Sequence, residues 1–235
     1  MLIKNFLLLS ILIVLIVYYV KLNLKKDLIK IPIFYINLKK DTDRLSYIKK
    51  TLSTIFDENY IYRIEGVQHK LGLEGCRLAH IKANKEAIKK GYKYYIITED
   101  DIKPLLDKQN IKKHIYNSIS FNPDLVLFEQ GEKLETKIKL QKKTNNMYRI
   151  FSGGNNTGFY LCSLNFGKQL VNHWDKYKFI HIDYLWQALW KKNNVYFYRP
   201  QLFNQKEGKS NQSDVNYRNE IKPFDWDLYD KLNKP

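Results

Sequence analysis

Three consecutive carboxylates, Glu99-Asp100-Asp101, follow directly on the apolar run Tyr94 to Thr98. Carboxylates this close repel one another, and the arrangement is stable mainly when a cation or an array of donors neutralises it. Hard oxygen ligands suit Mg²⁺ or Mn²⁺, ions that keep positions open for substrate phosphates. A solvated turn or a helix cap is the other reading that the spacing alone leaves open. Arg44 has the chemistry to pair with a phosphate, or else to form a surface ion pair. His80, near a helix start, is either a catalyst or a capping or core histidine.

The elements that must carry these residues alternate. Ile31 to Leu38 is a β-branched and aromatic run with Pro32 near its start, which suits a first strand. A helix follows, capped by Asp41 or Thr42, with Leu45, Ile48, Leu52 and Ile55 as one apolar stripe. Tyr60 to Ile64 reads as a second strand. Glu74 to Lys90 reads as a helix that stops at Gly91, the usual left-handed C-terminal residue. Tyr94 to Thr98 is a third strand. Beyond it the spacing predicts strands at Leu125 to Phe128, Gly158 to Cys162 and Val195 to Arg199, and helices at Ser163 to Trp174 and Ile182 to Lys192. Lys137 to Asn146 is polar enough for a mobile loop, and the chain from Gln201 onward has loop composition. Ser152 to Gly158 reads as a turn, either a simple hairpin or a loop approached by substrate.

Strand, helix, strand, helix, strand at these spacings argues for an α/β fold with a mostly parallel sheet. Ligands in such sheets bind outside the carboxyl ends of the strands, which is where Asn37, Leu38 and the carboxylate triplet fall. The net charge of +16 is compatible with nucleic acid, an anionic membrane or a phosphorylated ligand, but the lysines are scattered along the chain. With no zinc-finger pattern, no aromatic RNA-binding strand motif and no basic stripe, a nucleic-acid partner is not expected. The 2 cysteines, Cys76 and Cys162, are too few for a disulfide framework and read as small buried residues.

Six segments in order resemble glycosyltransferase family 25, the lipooligosaccharide and procollagen galactosyltransferase group. Phe34-Tyr35-Ile36-Asn37-Leu38 with Asp43-Arg44-Leu45 is similar to its opening "INL…DR" signature. Gly75-Cys76-Arg77-Leu78-Ala79-His80 is similar to its "GC…SH" helix start, with Ala79 in place of the usual Ser. Thr98-Glu99-Asp100-Asp101 corresponds to its "LEDD" strand end. Gly158 to Leu161, His181-Ile182-Asp183, and the closing segment Pro200 to Val215 match three further elements.

The resemblance implies a GT-A-type nucleotide-sugar-binding fold. It also implies a metal-dependent glycosyltransferase that moves a hexose, galactose or glucose, from a UDP-sugar to a hydroxyl of a glycan or protein acceptor, with inversion. Mn²⁺ or Mg²⁺ would be held by Asp101 and Glu99, and the donor bound by Asn37, Leu38, Arg44, Glu99, Asp100, Gln205 and Ser213. His80 and Asp183 would be catalytic. Asp183 is the candidate base for the acceptor hydroxyl, against the alternative of a carboxylate that merely favours its helix dipole. A catalytically inactive sugar- or nucleotide-binding module, or another GT-A family, is the competing expectation.

Phe6 to Val20 is an almost unbroken apolar run, close to the roughly 20 residues that span a bilayer. No small-residue cleavage site follows it. The expected organisation is a transmembrane anchor over 1–22, a linker over 23–30, a glycosyltransferase domain over 31–220 and a tail over 221–235. The expected location is a single-pass membrane protein. Lys21, Lys25, Lys26 and Lys30 favour a cytosolic domain by the positive-inside rule, and a lumenal one stays open.

Overall fold

The structure is a computed structural model describing residues 11–15, 31–130, 138–152, 156–174, 182–209, 216–217 and 224–232. Strand β1 (Ile33–Asn37) is buried along its length except at Ile36. It runs parallel to β2 (Ile61–Glu65) on one side and to β3 (Tyr94–Glu99) on the other. Helix α1 (Thr42–Ile55) connects β1 to β2 and buries Ile48, Leu52 and Ile55, the expected stripe. Its N-cap residue is Asp41, which accepts Leu45 N–H through its carbonyl and makes no capping bond with its side chain. Helix α2 (Gly72–Lys90) ends at Gly91, where φ is 74°. The left-handed turn there costs a glycine little, because it has no Cβ to clash with the preceding carbonyl.

Beyond β3 come β4 (Ile102–Pro104), α3 (Lys108–Ile119), β5 (Leu125–Leu127), β6 (Lys139–Lys142), β7 (Met147–Ser152) and β8 (Phe159–Ser163). Helices α4 (Leu164–Trp174) and α5 (Ile182–Trp190) follow, then β9 (Val195–Tyr198), β10 (Phe203–Gln205), β11 (Gly208–Lys209), β12 (Asn216–Tyr217) and α6 (Trp226–Leu232). The main sheet has eight strands in the order β2-β1-β3-β8-β5-β9-β7-β6. The expectation of a mostly parallel sheet holds for β2-β1-β3 and for β5 with β9. The sheet as a whole is mixed, because β8 enters antiparallel between β3 and β5, and β7 and β6 add antiparallel pairs at the far edge.

Side chains alternate across this sheet and build two cores. Tyr95, Ile97, Leu125, Leu127, Tyr160 and Cys162 pack on one face with residues of α2, α4 and α5. Ile96, Val126, Phe159 and Leu161 pack on the other with residues of α1 and α3. The result is a three-layer α/β/α domain.

Three sequence expectations are corrected. Residues 138–146 do not form the expected polar loop throughout. Ile138, Leu140, Tyr148 and Ile150 face the core at alternate positions, so β6 and β7 form a hairpin despite the lysines between them. Residues beyond Gln201 are not all loop, since β10 pairs with β4, and Phe224 with Trp226 and Tyr229 of α6 joins the core. The Trp226 ring lies 4.6 Å from that of Tyr148 and 4.8 Å from that of Phe224, centroid to centroid. The third correction concerns the membrane anchor. Among the described residues no helix is long and apolar enough to cross a membrane, so a single-pass membrane protein is not supported. Of the expected anchor, residues 11–15 are helical and the remainder lies outside the described residues.

Candidate active site

The period-two alternation decides where each carboxylate goes. Glu99 continues the face of Tyr95 and Ile97, toward α2. Its Oε1 lies 3.3 Å from His80 Nε2 and also accepts a hydrogen bond from Thr157 Oγ1. His80 is fully buried, and its Nδ1 is 3.0 Å from the Tyr160 hydroxyl. Its ring therefore orients Glu99 from beneath and meets no solvent in this conformation.

The chain turns at Asp100 and Asp101 and carries these two toward α1. Arg44 Nη1 donates to Asp100 Oδ1 and Nη2 to Asp101 Oδ2, both at 2.8 Å. Arg44 is thus a fork across the two aspartates and not a surface ion pair. Asn37, on the α1 face at the end of β1, donates from Nδ2 to Asp100 Oδ2 at 2.7 Å and accepts from Arg63 Nη2 at 2.8 Å. Leu38, half-buried, packs so close to Gly66 that a Cβ there would meet Leu38 Cδ2 at 3.0 Å. Gln205 lies opposite Ile102 across the β4–β10 pair, and the next residue, Lys206, donates its N–H to the Asp101 carbonyl at 2.6 Å. Residues far apart in sequence thus meet at one strand end. Asp183 is the second residue of α5, and its side chain lies outside the described residues, as does Ser213.

The structure adds Glu129, which sequence reasoning missed. It follows β5 on the same face as Leu125 and Leu127, is 1% exposed, and accepts from Asn156 Nδ2 at 2.6 Å through Oε1. Its Oε2 is buried without a hydrogen-bond partner, and so is Asp101 Oδ1. The signal was a carboxylate closing the apolar run Leu125 to Phe128, as Glu99 closes β3.

The electrostatics follow from burial. Asp101 is pushed up to about 7, first by burial and then by repulsion from Glu99, with Arg44 opposing. Burial and the charges of Glu99 and Asp101 hold the Glu129 carboxyl well above its ordinary range. Burial also raises Asp100, against the pull of Arg44 and Asn37. For Glu99, burial is outweighed by the hydrogen bond and charge of His80, with Thr157 and Arg44 adding, so its carboxyl is held below the usual value. Four carboxylates therefore converge on a region whose direct cationic partner is Arg44. The orphaned oxygens of Asp101 and Glu129 are the atoms here that could hold a hard divalent cation, which takes oxygen ligands.

The sequence profile of glycosyltransferase family 25, described as an LPS biosynthesis protein, matches residues 53–186, more than half of the chain. The chain belongs to this family. No curated protein matches it. The glycosyltransferase is similar in fold to a solved glycosyltransferase involved in glycosylation of the major capsid of PBCV-1, at 14% identity and a TM-score of 0.48, over 77% of this chain and 94% of that one. It is also similar to apo-UDP-glucose pyrophosphorylase, at 11% identity and a TM-score of 0.49, over 88% of this chain and 83% of the other. The family match takes in α2, the Glu99 to Asp101 triplet and Glu129, and it ends within α5, three residues beyond Asp183.

Proposed function

We propose that this glycosyltransferase transfers a hexose from a UDP-sugar to a hydroxyl of a glycan or protein acceptor, with inversion, on a GT-A-type fold that uses Mn²⁺ or Mg²⁺. The observation that carries the reading is the pair of buried, unpartnered carboxylate oxygens, Asp101 Oδ1 and Glu129 Oε2, beyond the carboxyl ends of β3 and β5, the two strands that flank β8. Each carboxylate keeps a donor on one oxygen only, and a buried ionised oxygen with no partner is disfavoured, so the cluster favours added positive charge.

In this reading Asp101 is the first ligand, with Glu99 and Glu129 completing the negative surroundings. When bound, the metal neutralises the diphosphate and the charge that develops on the departing nucleotide. Arg44 holds Asp100 and Asp101 in fixed orientation. Asn37 links Asp100 to the end of β1, where the nucleotide would lie, and Leu38 forms part of that wall. Gln205 and Ser213 are the remaining donor-binding residues of this reading. Asp183 takes the proton from the acceptor hydroxyl as that oxygen attacks the anomeric carbon from the face opposite the leaving UDP.

The test is calorimetric titration of UDP into the protein with and without Mn²⁺, paired with a screen of UDP-hexoses for transfer and hydrolysis. Metal-dependent UDP binding that Asp101→Ala abolishes supports the reading. Equal binding in excess chelator, with negligible residual metal, sinks it.

A further inference from the structure

A second group of side chains beside the proposed donor site has ligand chemistry of a different kind. The ligand atoms of Cys76, His80 and Glu99 all lie within 4.8 Å of one another. Cys76 and His80 are four residues apart on α2, so they share one face of the helix. Glu99 reaches that face from the end of β3. Around a tetrahedral zinc ion, with bonds of about 2.0–2.3 Å, ligand atoms sit roughly 3.3–3.8 Å apart. His80 Nε2 and Glu99 Oε1 already stand 3.3 Å apart.

The surroundings are those of a prepared ligand set. The Tyr160 hydroxyl lies 3.0 Å from His80 Nδ1 and fixes the ring so that Nε2 points at Glu99. A metal-bound histidine is usually oriented through its other ring nitrogen in just this manner. Asn84 in turn donates to the His80 carbonyl at 2.8 Å, and Tyr95 donates to Asn84 at 2.7 Å, so the support continues into the core. His80 is fully buried, whereas Cys76 and Glu99 are half-buried, which leaves an approach from their side.

We propose that Cys76, His80 and Glu99 bind a borderline-soft divalent cation, Zn²⁺, on the α2 side of Glu99, a second position that shares Glu99 with the one assigned to Mn²⁺ or Mg²⁺ beside Asp101. One thiolate, one imidazole and one carboxylate are a zinc-type set, whereas Mg²⁺ and Mn²⁺ favour oxygen ligands alone. Binding releases the proton of the Cys76 thiol and replaces the His80–Glu99 hydrogen bond with two metal bonds, the proton of that bond passing to His80 Nδ1, which then donates to the Tyr160 hydroxyl. Three protein ligands leave the fourth position to water or to a group of the substrate. The ion would tie α2 to the end of β3 and pin Glu99 beside Asp101.

The full chain is titrated with Co²⁺, which takes zinc sites and reports a thiolate ligand by charge-transfer absorption. One equivalent of Co²⁺ producing that band, displaced by Zn²⁺, is expected. The band disappears in Cys76→Ser and persists in Cys162→Ser, whose thiol is fully buried. It also persists in Asp101→Asn, which separates this site from the proposed donor metal, so either assignment can fail without the other. A band that survives Cys76→Ser, or one lost in Asp101→Asn, overturns the proposal. A second measurement needs no variant. Alkylation of Cys76 in the native protein, read by mass spectrometry, slows about tenfold at free Zn²⁺ about ten times the dissociation constant. An unchanged rate across a full Zn²⁺ titration overturns the proposal as well.

Discussion

A Cβ placed on Gly158 would lie 2.0 Å from Glu129 Oε2, so the glycine is what gives the buried carboxylate its room. Glu129 is 1% exposed and held by Asn156, which leaves it no solvent to retreat into. Gly158→Ala is therefore expected to destabilise the protein by about 1–3 kcal/mol, the usual cost of overpacking. Urea denaturation measures this. A midpoint unchanged from the native protein would show that Glu129 swings aside freely.

Asp101 gives the metal-free protein a pH signature. Its carboxyl titrates at 3.8 in the ordinary state and at about 7 in the fold. Between those values the folded chain holds a proton that the unfolded chain has released. Stability from this group is thus greatest at low pH, falls as pH rises toward 7, and levels off above it. Asp101→Asn is expected to flatten the slope between pH 5 and 7 by up to about 1.4 kcal/mol per pH unit. Thermal melts in chelator at several pH values check this, and an unaltered slope in the variant would count against it.

Arg44 should matter more as the pH rises. Its two 2.8 Å bonds hold Asp100 and Asp101, and its loss leaves both carboxylates without their cation. Arg44→Met is expected to cost about 1–3 kcal/mol at pH 8 and less at pH 6, where Asp101 can protonate instead. Arg44 is 25% exposed in its side chain, so the figure lies below that of a fully buried pair. Denaturant unfolding at the two pH values is the measurement, and equal losses at both would contradict it.

Asp183→Asn keeps size and hydrogen-bonding capacity while removing the charge. As the proposed base, its replacement is expected to lower transfer by about a hundredfold or more with UDP binding intact. Near-normal turnover, with at most a small loss of stability, would return Asp183 to a helix-end role. Loss of UDP binding would assign it to the donor instead.

The chain end contributes to the core. Trp226→Ala should cost about 3–5 kcal/mol, because the indole packs on Tyr148 and Phe224. Trp226→Phe should cost much less, since the indole N–H is buried without a partner and its removal strands nothing. Comparable losses for the two variants would argue against this packing account.

Local pattern alone determined β1, α1, β2, α2 and β3, because each carries a complete periodicity and Gly91 marks a stop that only φ of 74° explains. It also singled out Asn37, Arg44 and the Glu99 to Asp101 triplet, since carboxylates after an apolar strand announce themselves by charge repulsion. The hairpin over β6 and β7 was not legible, because frequent lysines hid an alternation that becomes visible only when one face has something to pack against. The same holds for α6, whose Trp226 and Tyr229, with Phe224 just before them, look like tail residues until the sheet receives them. Tertiary structure alone decided which way each carboxylate faces. Glu99 turns to His80 and Thr157, Asp100 and Asp101 turn to Arg44, and Glu129 arrives from a strand that does not adjoin β3. That outcome depends on the order in which β8 and β5 enter the sheet. Strand order is set by long-range packing, which no stretch of local sequence encodes.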